Sequence, residues 1–472
     1  MKENPYQQDK EMRELLEQYQ NLKSGRSHTF LDEDSFERIV EYYDEQEEIA
    51  QAMEAAELGT ERYPYCSALQ IKKADLLIAS RRYTEALAIL EMAEILDSND
   101  INLYILKTDA YLAMDQQEKA VKLLENALFR FKGEERIDLL FELADVYDDY
   151  EEFDKIFDCL SLILDQEPIN EEALYKICFW TDFTGRNEES IRLHQKIIDD
   201  YPYCELAWFN LGAAYQGIKL YEKSVDAYKY ALVIDEKFDY AYRNMGDAYI
   251  RLRKYKDAIE VLEKVLELSR PEEVIYEALG HCYDRLKNYA QARFYYRKAT
   301  HMNQGDSKLY FKIARTYINE QQWGQAVKQL DLALQINRAN PDYNLAMGEC
   351  KMNLGEIKEA IQCFSVVVRS RPKNSAGWEA LVCCLFIAEF YEEALEQVEA
   401  ALKHTDSRPL FLYYYSAVFF AMGRSKEGLL QLERALHTSP KLIKKFVGLN
   451  PSILQNQQVV DLLAKFKRTR RN

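Results

Sequence analysis

Apolar side chains recur along this chain every three or four residues. In 241–252, Tyr242, Met245, Tyr249 and Leu252 keep that spacing, and in 255–268 Ile259, Leu262 and Leu266 keep it again. This is the period of an α-helix with one apolar face, so each stretch predicts an amphipathic helix and the two together a helical hairpin. One hairpin cannot bury such a stripe by itself. Stacked neighbours can, and this predicts an array of hairpins rather than one globular core.

The array announces itself as a repeat. The segment AWFNLGAAYQGIKLYEKSVDAYKYALVIDEKF, from Ala207, meets AYRNMGDAYIRLRKYKDAIEVLEKVLELSRPEE after a shift of 34 residues. A second shift of 34 meets IYEALGHCYDRLKNYAQARFYYRKATHMNQ. Twelve starts follow, at 33, 67, 101, 137, 171, 205, 239, 273, 307, 341, 375 and 409, with two extra residues near Phe131–Ile137. Position 20 is small in eleven of twelve repeats, from Ala52 and Ala86 to Gly428, with Ile156 the exception. Small residues suit the point where two helices of a hairpin approach closely. Position 11 is Tyr in seven repeats, Tyr43 and Tyr249 among them. Eight of the ten prolines fall at repeat junctions, where a helix has to stop.

In one period Trp208, Leu211, Gly212, Tyr215, Ser224, Tyr228 and Ala231 stand where the next has Tyr242, Met245, Gly246, Tyr249, Ala258, Leu262 and Val265. This resembles the tetratricopeptide repeat family, whose signature is W-x2-L-G-x2-Y…A-x3-F…P. The resemblance covers 33–442 and is best over 205–338. It implies an all-α solenoid of helical hairpins wound into a right-handed superhelix. Residues 1–32 are expected to form an N-terminal helical cap. Residues 443–472 are expected to supply capping helices, through Leu442, Phe446, Leu449, Leu454, Val460, Leu463 and Phe466, and then a basic tail.

Composition agrees with helices: of 472 residues only 16 are Gly and 10 Pro. The net charge of −18 is uneven, with −10 over residues 1–66, −13 over 134–172 and +7 over 441–472. An acidic body repels phosphate backbones and disfavours nucleic acid as a general partner. The polar amino-terminal segment predicts no secretory signal, and no run of 18 apolar residues predicts a membrane span. Nine scattered cysteines without a CxxC fit reduced thiols in a cytoplasm.

Catalytic chemistry finds little support. GxxxxGK[ST], GxGxxG, GxSxG and HExxH are all missing from the chain. No metal, cofactor or catalytic residue is expected. The six histidines, His28, His194, His281, His301, His404 and His437, form no ligand pattern; His194, at position 24, is expected in the core. Cys383–Cys384 and the carboxylate-rich stretch 148–154 read as packing and as a solvated turn.

The family resemblance implies that the first helix of each hairpin lines a concave groove, with positions 2, 5, 9, 12 and 13 inward. Position 5 then places Phe141, Tyr175 and Phe209 in a ladder through repeats four to six, beside Asp145, Asp149, Phe179 and Asp182. Repeats seven to nine place Tyr240, Arg243, Arg251, Arg285, Phe311 and Arg315 there, with Asp247 and His281. Repeats eleven and twelve offer Phe386, Ile387, Tyr413 and Phe420. Aromatic rings flanked by carboxylates suit an extended peptide with apolar and basic side chains. The lysine and asparagine that clamp a C-terminal carboxylate in chaperone-binding members are missing from positions 5 and 9. The expected protein is a non-enzymatic cytoplasmic scaffold of bacterial type that binds other proteins or peptide segments. The alternative is a regulatory subunit that docks a catalytic partner or nucleic acid through the groove or the basic tail. Homo-oligomers through the acidic amino-terminal region and the basic tail stay open.

Overall fold

The structure is a computed structural model and describes residues 5–24, 30–406 and 408–469. His28 and the end of the basic tail, 470–472, lie outside them. The described residues form 27 α-helices and two short 3-10 turns, with no strand. The chain divides into two compact units, Met1–Ala241 and Tyr242–Asn472.

Within each unit the helices come in consecutive pairs. The first helices of the pairs begin at Glu33, Ser67, Ile101, Glu134, Glu171, Glu205, Asp239, Glu273, Ser307, Pro341, Ser375 and Arg408. The fourth is 16 residues long and starts after Gly133, whose φ is 65°. The two extra residues therefore lengthen one helix instead of opening a loop. Junction residues cap the helices that follow: the side chains of Asp32, Asp100, Asn170, Asp306, Asn340 and Asn374 accept first-turn N–H groups.

Every pair turns on one left-handed residue. These are Glu47, Arg81, Asp115, Glu151, Gly185, Lys219, Arg253, Lys287, Gln321, Gly355, Glu389 and Gly423, with φ from 57° to 81°. At eleven of these turns the next residue donates its N–H to a carbonyl five residues back, as Asn288 does to Tyr283 at 2.9 Å, and at the other Gly185 donates to Thr181. This bond caps the first helix and aims the second. Nine of the twelve turn residues carry a Cβ that the left-handed region penalises by about 1–2 kcal/mol. Glycine's greater unfolded-state entropy offsets about 0.5–1 kcal/mol of that. Lys287→Gly should therefore raise stability by about 0.5–1 kcal/mol in urea unfolding, and Gly355→Ala should lower it by about as much. A loss of stability in Lys287→Gly would contradict this account of the turn.

The helices of a pair meet at small residues. Ala52, Ala86, Ala120, Ala258, Ala292, Ala326, Ala360 and Ala394 are completely buried. Against the first pair lies the helix Pro5–Lys23, whose buried Tyr19 meets Phe36 edge-on at 6.3 Å. At the other end Ile443–Leu449 and Gln457–Thr469 cover the twelfth pair. Here Phe446, Ile453 and Val459 are buried, whereas Leu454 and Val460, expected inward, are exposed. The 3-10 turn Pro451–Gln455 interrupts the helical period and shifts the inward register by one residue.

Candidate protein-binding groove

In the Met1–Ala241 unit, the first helices of successive pairs touch one another from 33–45 through 134–149, and 171–184 touches 205–217. They form one layer, and this layer carries the candidate side chains. Tyr175 is 60% exposed. Phe141 is half-buried, and the Lys176 amine stands 4.9 Å from its ring centroid. That amine also lies 2.9 Å from Glu172 and 3.7 Å from Asp145. Phe209 packs on Tyr228 at 5.6 Å and Phe238 at 4.9 Å, so it belongs to the packing of its own repeat. Asp145, Asp149 and Asp182 are exposed. The ladder thus holds one open ring, one half-buried ring under a lysine and one half-buried ring packed on its own repeat.

A larger aromatic surface sits beside Tyr175. Phe179 and Phe183 are 60% and 57% exposed, and their rings stack at 6.0 Å. Trp180 meets both, at 5.0 and 5.6 Å, and Phe153 stacks on Trp180 at 5.4 Å. Sequence reasoning named Phe179 only in passing and missed the others. The available signal was their i, i+4 spacing, which puts Phe179 and Phe183 on one helix face.

Sequence reasoning also missed a column of carboxylates in the same layer. Asp75, Asp109 and Glu142 stand on the first helices of pairs two, three and four. Burial raises the pKa of each, and the neighbouring charges of Asp44, Asp75 and Asp109 respectively raise it further. Asp145 and Asp149 add to the effect on Glu142, which is pushed up to about 7. Asp75 and Asp109 are nevertheless open to solvent. Water reaches Asp75 and Asp109 although their neighbours partly desolvate them.

The other two zones are more occupied. Arg243 pairs with Glu272 at 2.8 Å and Arg251 with Asp247 at 3.5 Å. Arg285 donates to the Tyr255 hydroxyl at 3.2 Å, and Phe311 packs on Tyr343 at 4.8 Å. Tyr240 is 56% exposed and Arg315 is exposed. Tyr413, expected to face a groove, is completely buried: its hydroxyl donates to the Ser439 carbonyl at 3.0 Å, and Phe446 lies 6.1 Å away. The capping helix has taken that place, and Lys445 on it pairs with Glu379.

Several groups with catalytic potential are engaged by the fold. His194 contacts Ser190 and Asn210, but all three side chains are buried. Burial pushes the Cys383 and Cys384 thiols up to about 11, which makes them poor nucleophiles. Glu273, Glu277 and Asp306 bring oxygens within 4.8 Å of one another. Glu277, however, pairs with Lys312, and Asp306 caps the helix Ser307–Asn319.

Two family models match the chain: the tetratricopeptide repeat protein 21 C-terminal ARM domain over residues 216–349, and a tetratricopeptide repeat over 320–382. Residues 216–382 of the chain carry tetratricopeptide repeats. Solved structures similar to this repeat protein include YrrB, described as a TPR protein with an unusual peptide-binding site. It is 19% identical over 40% of this chain and 96% of its own, with a TM-score of 0.36. The Cut9–Hcn1 hetero-tetramer of APC/C is 12% identical over 82% of this chain and 96% of its own, at 0.35. The C-terminal part of a TPR repeat-containing protein from Cytophaga hutchinsonii is 15% identical over 54% and 99%, at 0.45. No curated protein sequence matches it.

Proposed function

We propose that this repeat protein is a non-enzymatic scaffold of the bacterial cytoplasm. Its twelve repeats, 33–442, stand between a cap at 1–32 and the capping helices and tail at 443–472. The inner layer of repeats four to six holds an extended segment of a partner protein. The observation that carries this reading is the open aromatic surface of Tyr175, Phe179 and Phe183 beside Asp145, Asp149 and Asp182. Exposed rings lose little rotamer freedom on binding and gain much from being covered. The carboxylates around them select for basic neighbours.

The arrangement of Lys176 supports this choice of ligand. The chain's own amine lies over the Phe141 ring between Glu172 and Asp145. A partner's lysine would meet the same combination at Phe179 and Asp182.

The test is capture of partners from native lysate by the full chain and by a Tyr175→Ser, Phe179→Ser, Phe183→Ser variant, at low and moderate salt. These rings are more than half exposed, so the helical circular dichroism should not change. A partner held by the wild type should be lost at least about tenfold from the variant, a difference of about 1.4 kcal/mol. Equal capture by both proteins would move the site off this face.

A further inference from the structure

The acidic column and the aromatic surface together prescribe a spacing for the ligand. Residues 1–241 carry a net formal charge of −27 and residues 242–472 carry +9. The unit that holds the open rings is therefore the strongly acidic one, and its inner layer concentrates part of that charge. Asp75 and Asp109 come one per repeat, and the next first helix, which touches that of Asp109, continues the column with Glu142 and, beside it, Asp145 and Asp149. Asp109 feels the charge of Asp75, and Glu142 that of Asp109. Lys72, the cation nearest Asp75, is committed to Glu41 at 2.6 Å.

Packed helices lie about 8–10 Å apart. A segment in the polyproline-II form of extended chain advances about 3.1 Å per residue and returns every third side chain to the same face. Three residues of an extended ligand thus span one repeat. Resting on the reading of this layer as a protein-binding groove, we infer that its ligand is an extended segment with lysine or arginine at every third position, followed by a bulky apolar side chain. The basic residues pair with Asp75, Asp109 and Glu142. The apolar side chain rests on Phe179 and Phe183. The whole contact takes about ten to twelve residues.

The spacing is what separates this from general attraction between opposite charges. Charge alone does not register the order of residues, whereas carboxylates that recur at the spacing of the repeats do. A segment with its basic residues adjacent can satisfy one carboxylate and leaves the rest unneutralised.

Three labelled peptides of equal length and identical composition test this by fluorescence anisotropy with the full chain. Their lysines stand at every third position, at every second position, or in one block. The every-third peptide should bind about tenfold more tightly than the other two. Asp75→Asn, Asp109→Asn, Glu142→Gln should abolish that preference; these neutral isosteres relieve repulsion at all three sites and give up only the attraction between Asp75 and Lys72. Equal binding of the three peptides would overturn the inference, as would a preference that survives in the neutral variant. If no peptide binds while the natural partner is still lost from the aromatic variant, the spacing falls and the scaffold stands. If capture is also unchanged in that variant, both fall.

Discussion

Phe364→Ala will cost about 3–5 kcal/mol, the range for truncating a fully buried aromatic ring. The ring of Phe364 is completely buried among Val368, Trp378, Leu381 and Leu385. It reaches that depth because the first helix of its repeat has glycine opposite. A Cβ on Gly348 would lie 2.4 Å from a ring atom of Phe364. The same arrangement recurs at Gly212 with Tyr228 and Gly280 with Tyr296, each at 2.6 Å. Where the opposite residue is Ala, as at Ala74 and Ala314, the buried partner is Leu90 or Leu330. The two positions therefore compete for the same space, even where glycine faces leucine, since a Cβ on Gly246 would lie 2.7 Å from Leu262. Gly348→Ala should destabilise by about 1–3 kcal/mol through overpacking, less what alanine gains in helix propensity. Adding Phe364→Leu to Gly348→Ala should recover part of that loss, because it recreates the pairing of the other repeats. Thermal unfolding of wild type, the two single variants and the double variant gives the coupling directly. Additive losses would contradict a shared volume. Because each repeat leans mainly on its neighbours, the loss should also show as earlier exchange of amide hydrogens around 341–400.

That pairing explains why so much of the fold was legible in the sequence. A residue's repeat position fixes which helix face it occupies, and the small residues at position 20 and the histidine at position 24 are buried accordingly. The candidate groove was legible only by face. Phe209 and Tyr175 share position 5, yet Phe238 covers the first and the second is open. Tyr413 shares that position too, and a helix from outside the repeats covers it. Whether a face is occupied depends on residues a repeat or more away. Arg243 illustrates this, since its partner Glu272 lies 29 positions along the chain. The acidic column escaped notice because a single carboxylate on a helix reads as a solvated side chain. It takes the stacking of three helices to bring Asp75, Asp109 and Glu142 into one another's field.

His194 gives the chain a defined loss of stability in acid. Its Nδ1 lies 2.7 Å from the Ser190 carbonyl, so Nδ1 carries the proton and donates it there. Its Nε2 then accepts from the Asn210 amide at 3.1 Å. That amide also donates to the Leu174 carbonyl at 2.8 Å, so turning it to accept a proton from the ring would break a second bond. The site is built for the neutral imidazole. Burial accordingly depresses the pKa from 6.5 to about 4. The unfolded chain binds this proton more readily, so stability should be flat above about pH 6.5 and fall by about 3 kcal/mol toward pH 4. Asp75, Asp109 and Glu142 work in the opposite direction, because their raised pKa values favour the folded state as pH falls. The contribution of His194 therefore has to be read as a difference between two proteins. His194→Leu places the residue that Leu90 and Leu330 supply at the same position, and Asn210 keeps its bond to Leu174. At pH 8 the variant should differ from wild type by about 1 kcal/mol or less. Between pH 6.5 and 4 its urea midpoint should fall less steeply, and the gap should widen to about 3 kcal/mol in favour of the variant. Parallel curves across that window would mean that the folded chain accommodates the imidazolium, against the hydrogen bonds that surround it.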